Sequence, residues 1–191
     1  MDCLGEKLGP LLFQFGYFNK KAFLGVNDFL ARLVPFLKML PKGYRFAIEI
    51  RNKNWLVPQF VEALRERNVA LALADHVWMP RPKQLFDRFD PITTDLTYVR
   101  WIGDRKGIEE QTKVWDKIIV DHSADLAEWI EVLKTVHKMN IQILAFANNH
   151  YAGYGPGMIE QFRELWRRAV GEKTGSTRSN ERALEERRLF D

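Results

Sequence analysis

Six polar side chains in this chain follow short apolar runs of strand character. Glu49 and Arg51 close Phe46-Ala-Ile-Glu-Ile-Arg51, Asp75 closes Leu71-Ala-Leu-Ala-Asp75, Arg100 closes Leu96-Thr-Tyr-Val-Arg100, and Asn148 and Asn149 close Ile141-Gln-Ile-Leu-Ala-Phe-Ala-Asn-Asn149. In a parallel α/β protein the strand C-termini converge on the ligand, so these residues, far apart in sequence, are candidates for one pocket. Arg51 and Arg100 can grip a carboxylate or phosphate through planar, two-pronged hydrogen bonding. Glu49 and Asp75 can serve as general acid and base where their environments split their pKa values. The competing reading of these four is a structural ion-pair network. Asn148 and Asn149 can orient a substrate or form a strand-end turn. Gly153, Gly155 and Gly157 stand before a helix, as in phosphate-accepting loops, although glycine is also an ordinary turn residue.

The alternation of side chains along a strand sorts these residues further. Ala47, Glu49 and Arg51 share one face and Phe46, Ile48 and Ile50 the other; Tyr98 and Arg100 oppose Val99 and Trp101; Gln142, Phe146 and Asn148 oppose Ile141, Ile143 and Ala145; Gln14 opposes Phe13 and Phe15. One face is steadily apolar, while the other carries Gln14, Glu49, Arg51, Tyr98, Arg100 and Asn148. A sheet covered by helices on both sides would bury these charges at high cost. A barrel interior opening to solvent holds them more readily, so Gln14 and Tyr98 join the candidate binding residues.

Other chemistries have less support. Glu49, Asp75, His76 and His150 have donor types that suit Zn or Mn, but no close-spaced histidine motif is present and no metal site is assigned. Cys3 has no base nearby in sequence, and no serine sits in a nucleophile-elbow context. No cofactor is required by the sequence. The loop His76-Val-Trp-Met-Pro-Arg-Pro-Lys83, with Trp101, Arg105 and Lys106, mixes aromatic and basic groups that can stack bases and hold phosphates. The formal charge of only +4 and the lack of a recognised binding motif rank a nucleic-acid-binding or endonuclease-like role below a small anionic ligand.

The elements that must position these groups alternate. Strands are predicted over 9–15, 45–51, 70–75, 97–102 and 141–147. Helices are predicted over 29–40, 57–67 with Asn54 as a cap, 109–119, 123–139 capped by Ser123, and 158–170, with a short turn at 83–88. Strand–helix alternation predicts a parallel sheet with right-handed crossovers. At 191 residues with 46% apolar and 28% charged composition, the chain reads as one globular domain over 1–170 and a polar, mobile tail over 171–191. The single cysteine excludes an internal disulfide. No run of 18 or more apolar residues and no signal pattern is present, so the expected location is cytoplasmic, without membrane contact.

Leu8-Gly-Pro-Leu-Leu-Phe-Gln-Phe15, Ile48-Glu-Ile-Arg-Asn-Lys-Asn-Trp55, Ala74-Asp75, Tyr98-Val-Arg-Trp-Ile-Gly103 and Phe146-Ala-Asn-Asn149, with Gly153 and Pro156 following, resemble in order the motifs of the uncharacterised DUF72 (YecE-like) family of TIM-barrel proteins. Gly16-Tyr17 and Lys53-Asn54 depart from the family's Pro-Pro and His-Pro-Ser style turns. The resemblance implies strands four to eight of an eight-stranded barrel, and it brings no established activity with it. A closed (β/α)₈ barrel takes about 200 residues or more, so residues 1–170 are expected to form an incomplete TIM barrel of about five parallel strands. Open strand edges invite self-association, or pairing with a chain that supplies the missing strands. A truncated, non-catalytic fragment or assembly partner is the remaining functional alternative.

Overall fold

A computed structural model describes residues 2–171; of the tail expected over 171–191, all but Gly171 lies outside the described residues. Five strands, β1 (Leu11–Gln14), β2 (Phe46–Glu49), β3 (Ala70–His76), β4 (Leu96–Gly103) and β5 (Gln142–Ala147), form one parallel sheet in sequence order. An order that never reverses is that of a barrel wall; a doubly wound sheet has a switch point. The connections carry α1 (Val26–Met39), α2 (Pro58–Arg65), α3 (Pro82–Phe86), α4 (Arg105–Gln111), α5 (Ser123–Lys138), α6 (Asn149–Ala152) and α7 (Gly155–Val170).

The helices form where an apolar stripe meets a local stop signal. In α1, Phe29, Leu30, Leu33 and Leu37 are buried at helical spacing, and Asp28 in the first turn accepts the Leu24 N–H at 3.1 Å. The helix runs through Pro35 and ends at Leu40, which is extended (ψ 134°) as a residue before proline must be. α2 starts at Pro58, whose missing N–H costs nothing in the first turn. Asn54 does not cap α2; it lies in a 3-10 turn, Lys53–Trp55, and Val57 takes the cap position. The helix expected over 109–119 instead spans 105–111. The chain after it is tethered, with Ile119 and Val120 donating to the Ala152 carbonyl at 2.7 and 3.2 Å. That long-range pairing overrides local helix propensity.

The core is one-sided. Leu71, Leu73, Val99 and Trp101 of the sheet pack with Phe29, Phe60, Leu64, Leu126, Trp129, Leu133 and Met158 of the helices. The opposite face carries a small cluster made only of strand residues: Ala47, Ala70, Ala72, Leu96 and Tyr98, with Leu12 and Leu144 beside them. The sheet curls toward this second face. Arg100 of β4 donates from Nη1 to Gln14 Oε1 of β1 at 2.7 Å, across β2 and β3. On a flat sheet three strand spacings separate them by about 14 Å. At the other end of the sheet, Arg45 before β2 bonds Gln142 of β5 in the same way. The α/β class with five parallel strands and crossover helices is therefore as expected, and its concave face is the polar one. Among the described residues no helix is long and apolar enough to cross a membrane.

Candidate functional site

The concave face gathers charge at the strand C-termini. Gln14 and Glu49 are register partners, the last residues of β1 and β2, so their side chains leave the sheet side by side. Glu49 is fully buried (0% exposed). Arg100 Nη1 donates to Glu49 Oε2 at 2.6 Å as well as to Gln14. Arg51 Nη2 lies 2.6 Å from Glu49 Oε1, a close ion pair whose alignment misses a hydrogen bond.

Small residues make this possible. Arg100 is level with Ala74 of β3, and β3 presents Ala70, Ala72 and Ala74 to the concave face. Methyl groups leave a shallow floor, over which the Arg100 side chain crosses to reach β2. Beside it Tyr98, almost buried, stacks on Phe146 of β5 at 4.9 Å between ring centroids. Burial raises the Tyr98 phenol above its ordinary pKa, with Glu49 adding to the rise and Arg100 opposing it.

The charge on this face does not balance. Two guanidinium groups share one carboxylate. Arg51 is held below its ordinary pKa first by burial, with Glu49 pulling it back up and Arg100 pushing it down. Its Nε is buried and makes no hydrogen bond among the described residues. An unpaired buried donor costs free energy comparable to a lost hydrogen bond.

His76 belongs to this face too, although the sequence offered it only as a possible metal donor and as part of an aromatic and basic loop. A register irregularity between Asp75 and His76 lets the strand end turn, and the ring feels Arg51 and Glu49. Burial, reinforced by Arg51, lowers its pKa. Its Nδ1 accepts the Trp78 N–H at 3.3 Å, which leaves the proton of the neutral ring on Nε2.

Asp75 does not join Glu49. It shares the phase of Leu71 and Leu73 and points into the helix layer. There it accepts from Trp129 Nε1 at 2.6 Å, Tyr151 Oη at 2.9 Å and Arg81 Nη1 at 3.2 Å. Burial first, then Asp75, raise the Tyr151 phenol, so it donates rather than ionises. For Arg81, burial pulls the pKa down, but Asp75, Asp125 and Glu128 outweigh it and the net direction is upward. Asp75 thus ties the 77–81 loop, α5 and α6 to β3. An acid–base pair of Glu49 and Asp75 on one substrate does not fit this geometry, because the two carboxylates leave opposite faces of the sheet. The alternation on β3, applied at the sequence level, already carries that signal.

The remaining candidates are occupied locally. Asn148 Oδ1 caps α6 by accepting the His150 N–H at 3.0 Å, and it also contacts His150 Nδ1 at 2.7 Å. Asn149 Oδ1 accepts the Gly155 N–H at 2.9 Å. The first turn of α7 therefore has little to offer an anion: Gly155 is engaged, Pro156 has no N–H, and Met158 bonds to the Tyr154 carbonyl. Packing explains two of the three glycines. Gly153 (φ 96°) closes α6 against Ile119, where a Cβ would come within 2.6 Å. A Cβ on Gly157 would meet the Tyr154 ring at the same distance of 2.6 Å. Nor are Glu49, Asp75, His76 and His150 brought together as ligands; among the described residues no group of three or more His, Cys, Asp or Glu side chains is placed to hold a metal ion.

Comparison with known proteins agrees with this architecture. No curated protein matches the chain. Two solved structures do. A DUF72 family protein from Enterococcus faecalis V583 is 17% identical with a TM-score of 0.54, over 84% of this chain and 61% of that one. A DUF72 family protein from Thermotoga maritima MSB8 is 19% identical with a TM-score of 0.56, over 84% of this chain and 57% of that one. The chain thus spans about three-fifths of the length of these relatives, and at such identity the likeness concerns the fold. The family model described as "Protein of unknown function DUF72" matches residues 1–182. With nearly the whole sequence inside that match, the chain belongs to the DUF72 family.

Proposed function

We propose that the concave strand-end cluster binds a small molecule carrying a carboxylate or phosphate, with Arg51 and Arg100 as its clamps. The supporting observation is the surplus of one positive charge around a fully buried Glu49, together with a buried Arg51 Nε that has no partner among the described residues. Glu49 holds both guanidinium groups on the concave face. Gln14 and Tyr98 line the same surface and can contact the ligand's neutral parts. Asn148, Asn149 and the glycine loop act as scaffolding.

Thermal denaturation in phosphate and in chloride at matched ionic strength tests this reading. Phosphate should raise the melting temperature of the wild-type chain and of Arg163→Ala, an exposed change on α7. It should not raise that of Arg100→Ala. An unchanged phosphate increment in Arg100→Ala would refute the clamp.

A second reading, pairing with a further chain, is favoured by one observation. The concave face is a single layer of strand side chains on which Phe146 is 47% exposed, and β1 and β5 are the outer strands. Gel filtration of the same samples addresses it; a monomer at all concentrations speaks against pairing.

A further inference from the structure

A cavity of about 480 Å³ is lined by His76, Val77, Trp78 and by α4 with its flanking residues. Trp78 is 68% exposed, and nothing in the packing of the core requires an indole there. Its position is nevertheless fixed. The Trp78 N–H bonds to His76 Nδ1 at 3.3 Å, the Met79 N–H bonds to the His76 carbonyl at 2.8 Å, and the two rings meet edge to face at 5.3 Å. An exposed aromatic ring held on a tight turn offers a preorganised flat surface.

The charges lining this cavity cancel. Arg105, Lys106 and Lys113 stand against Asp104, Glu109 and Glu110, and Arg105 pairs with Glu109 at 2.7 Å and Lys106 with Glu110 at 3.9 Å. Such a wall suits a neutral group with both donors and acceptors, whereas the positive surplus lies at Arg51 and Arg100. His76 joins the two regions. It lies two residues beyond Ala74, the register partner of Arg100, so its backbone stands about 7 Å further along the strand direction than the Arg100 backbone. A ligand that reaches both the guanidinium groups and Trp78 must be longer than an inorganic anion.

We infer that the ligand of this site is nucleotide-like: its anionic group sits on Arg51 and Arg100, and a flat heterocyclic ring lies on Trp78, with the His76 Nε2–H between them. The inference rests on the anion reading proposed above and adds the chemical class of the other half of the ligand. Stacking on an exposed indole is tolerant of base identity, so the site selects for a flat ring rather than for one base.

Calorimetric titration of the 191-residue chain with inorganic phosphate, ribose 5-phosphate and adenosine 5′-monophosphate tests it. The nucleotide should bind about tenfold or more tightly than the sugar phosphate. Trp78→Ala should remove that margin and leave the affinity for inorganic phosphate unchanged, and Trp78→Phe should keep most of it. Equal affinities for nucleotide and sugar phosphate, or a nucleotide affinity indifferent to Trp78→Ala, would overturn the ring assignment while leaving Arg100-dependent phosphate binding standing. Failure of both phosphate and nucleotide to bind would overturn both readings. Salt-sensitive retention of a single-stranded oligonucleotide without measurable mononucleotide binding would overturn the small-molecule class in favour of a polymer.

Discussion

Replacing Glu49 by Gln probes the balance of charge on the concave face. The side chain is fully buried, with Arg51 Nη2 and Arg100 Nη1 each 2.6 Å from one of its oxygens. Removing one partner of a buried ion pair costs about 3–5 kcal/mol when the other stays desolvated. Here the arginine side chains are 13% and 23% exposed, so water recovers part of that, and glutamine keeps one acceptor oxygen. The expected loss is about 2–3 kcal/mol. For a chain of this size it lowers the melting temperature by roughly 5–10 °C. An anion on the arginines then replaces the missing carboxylate, and ligand at a hundred times its dissociation constant restores about 2.7 kcal/mol. Urea melts of wild type and Glu49→Gln, in chloride and in phosphate at matched ionic strength, read both effects. The variant should be the less stable in chloride and should gain more from phosphate than the wild type does. An undiminished stability in chloride would mean that the arginines do not depend on Glu49. An equal or smaller phosphate gain would mean that they are not where the anion sits.

Two further outcomes separate scaffold from site. Asp75→Asn keeps an acceptor but removes the charge that Trp129, Tyr151 and Arg81 share. It should cost about 2–4 kcal/mol in the same urea melts and leave the phosphate gain at its wild-type size; a changed gain would tie Asp75 to the ligand. The His76 imidazole should titrate below the ordinary value of about 6.5 when followed by NMR, since burial and then Arg51 lower its pKa. The unfolded chain takes up that proton first as pH falls, so it binds more protons than the folded chain between the two values. The stability His76 contributes is therefore full above the unfolded value and is lost as pH drops through the folded one. His76→Gln should flatten that part of the profile, and a midpoint at or above the ordinary value contradicts the account.

Period-two alternation brought Glu49, Arg51, Tyr98, Arg100 and Gln14 to one face on paper, and the structure places them there. It did so because one side of each strand must be apolar to meet the helices, a constraint written locally in every strand. The boundaries of α2 and α4 were not legible. Val57 takes the cap expected of Asn54, and the segment after α4 gives up helix to bond the Ala152 carbonyl. Such choices depend on partners distant in sequence.

The chain's own pattern therefore determined the α/β class, the parallel order and the polarity of the two faces, since these follow from side-chain periodicity and strand–helix alternation. Tertiary structure alone decided which polar groups meet. The curl of the sheet carries Arg100 over the alanines of β3 to Glu49 and Gln14. The helix layer claims Asp75 through Trp129 and Tyr151. The strand end and turn after Asp75 hold the Trp78 N–H on His76. Contacts between residues 54, 76 and 86 positions apart leave no local trace in sequence, because they depend on how far the sheet bends and on which helix packs over each strand end.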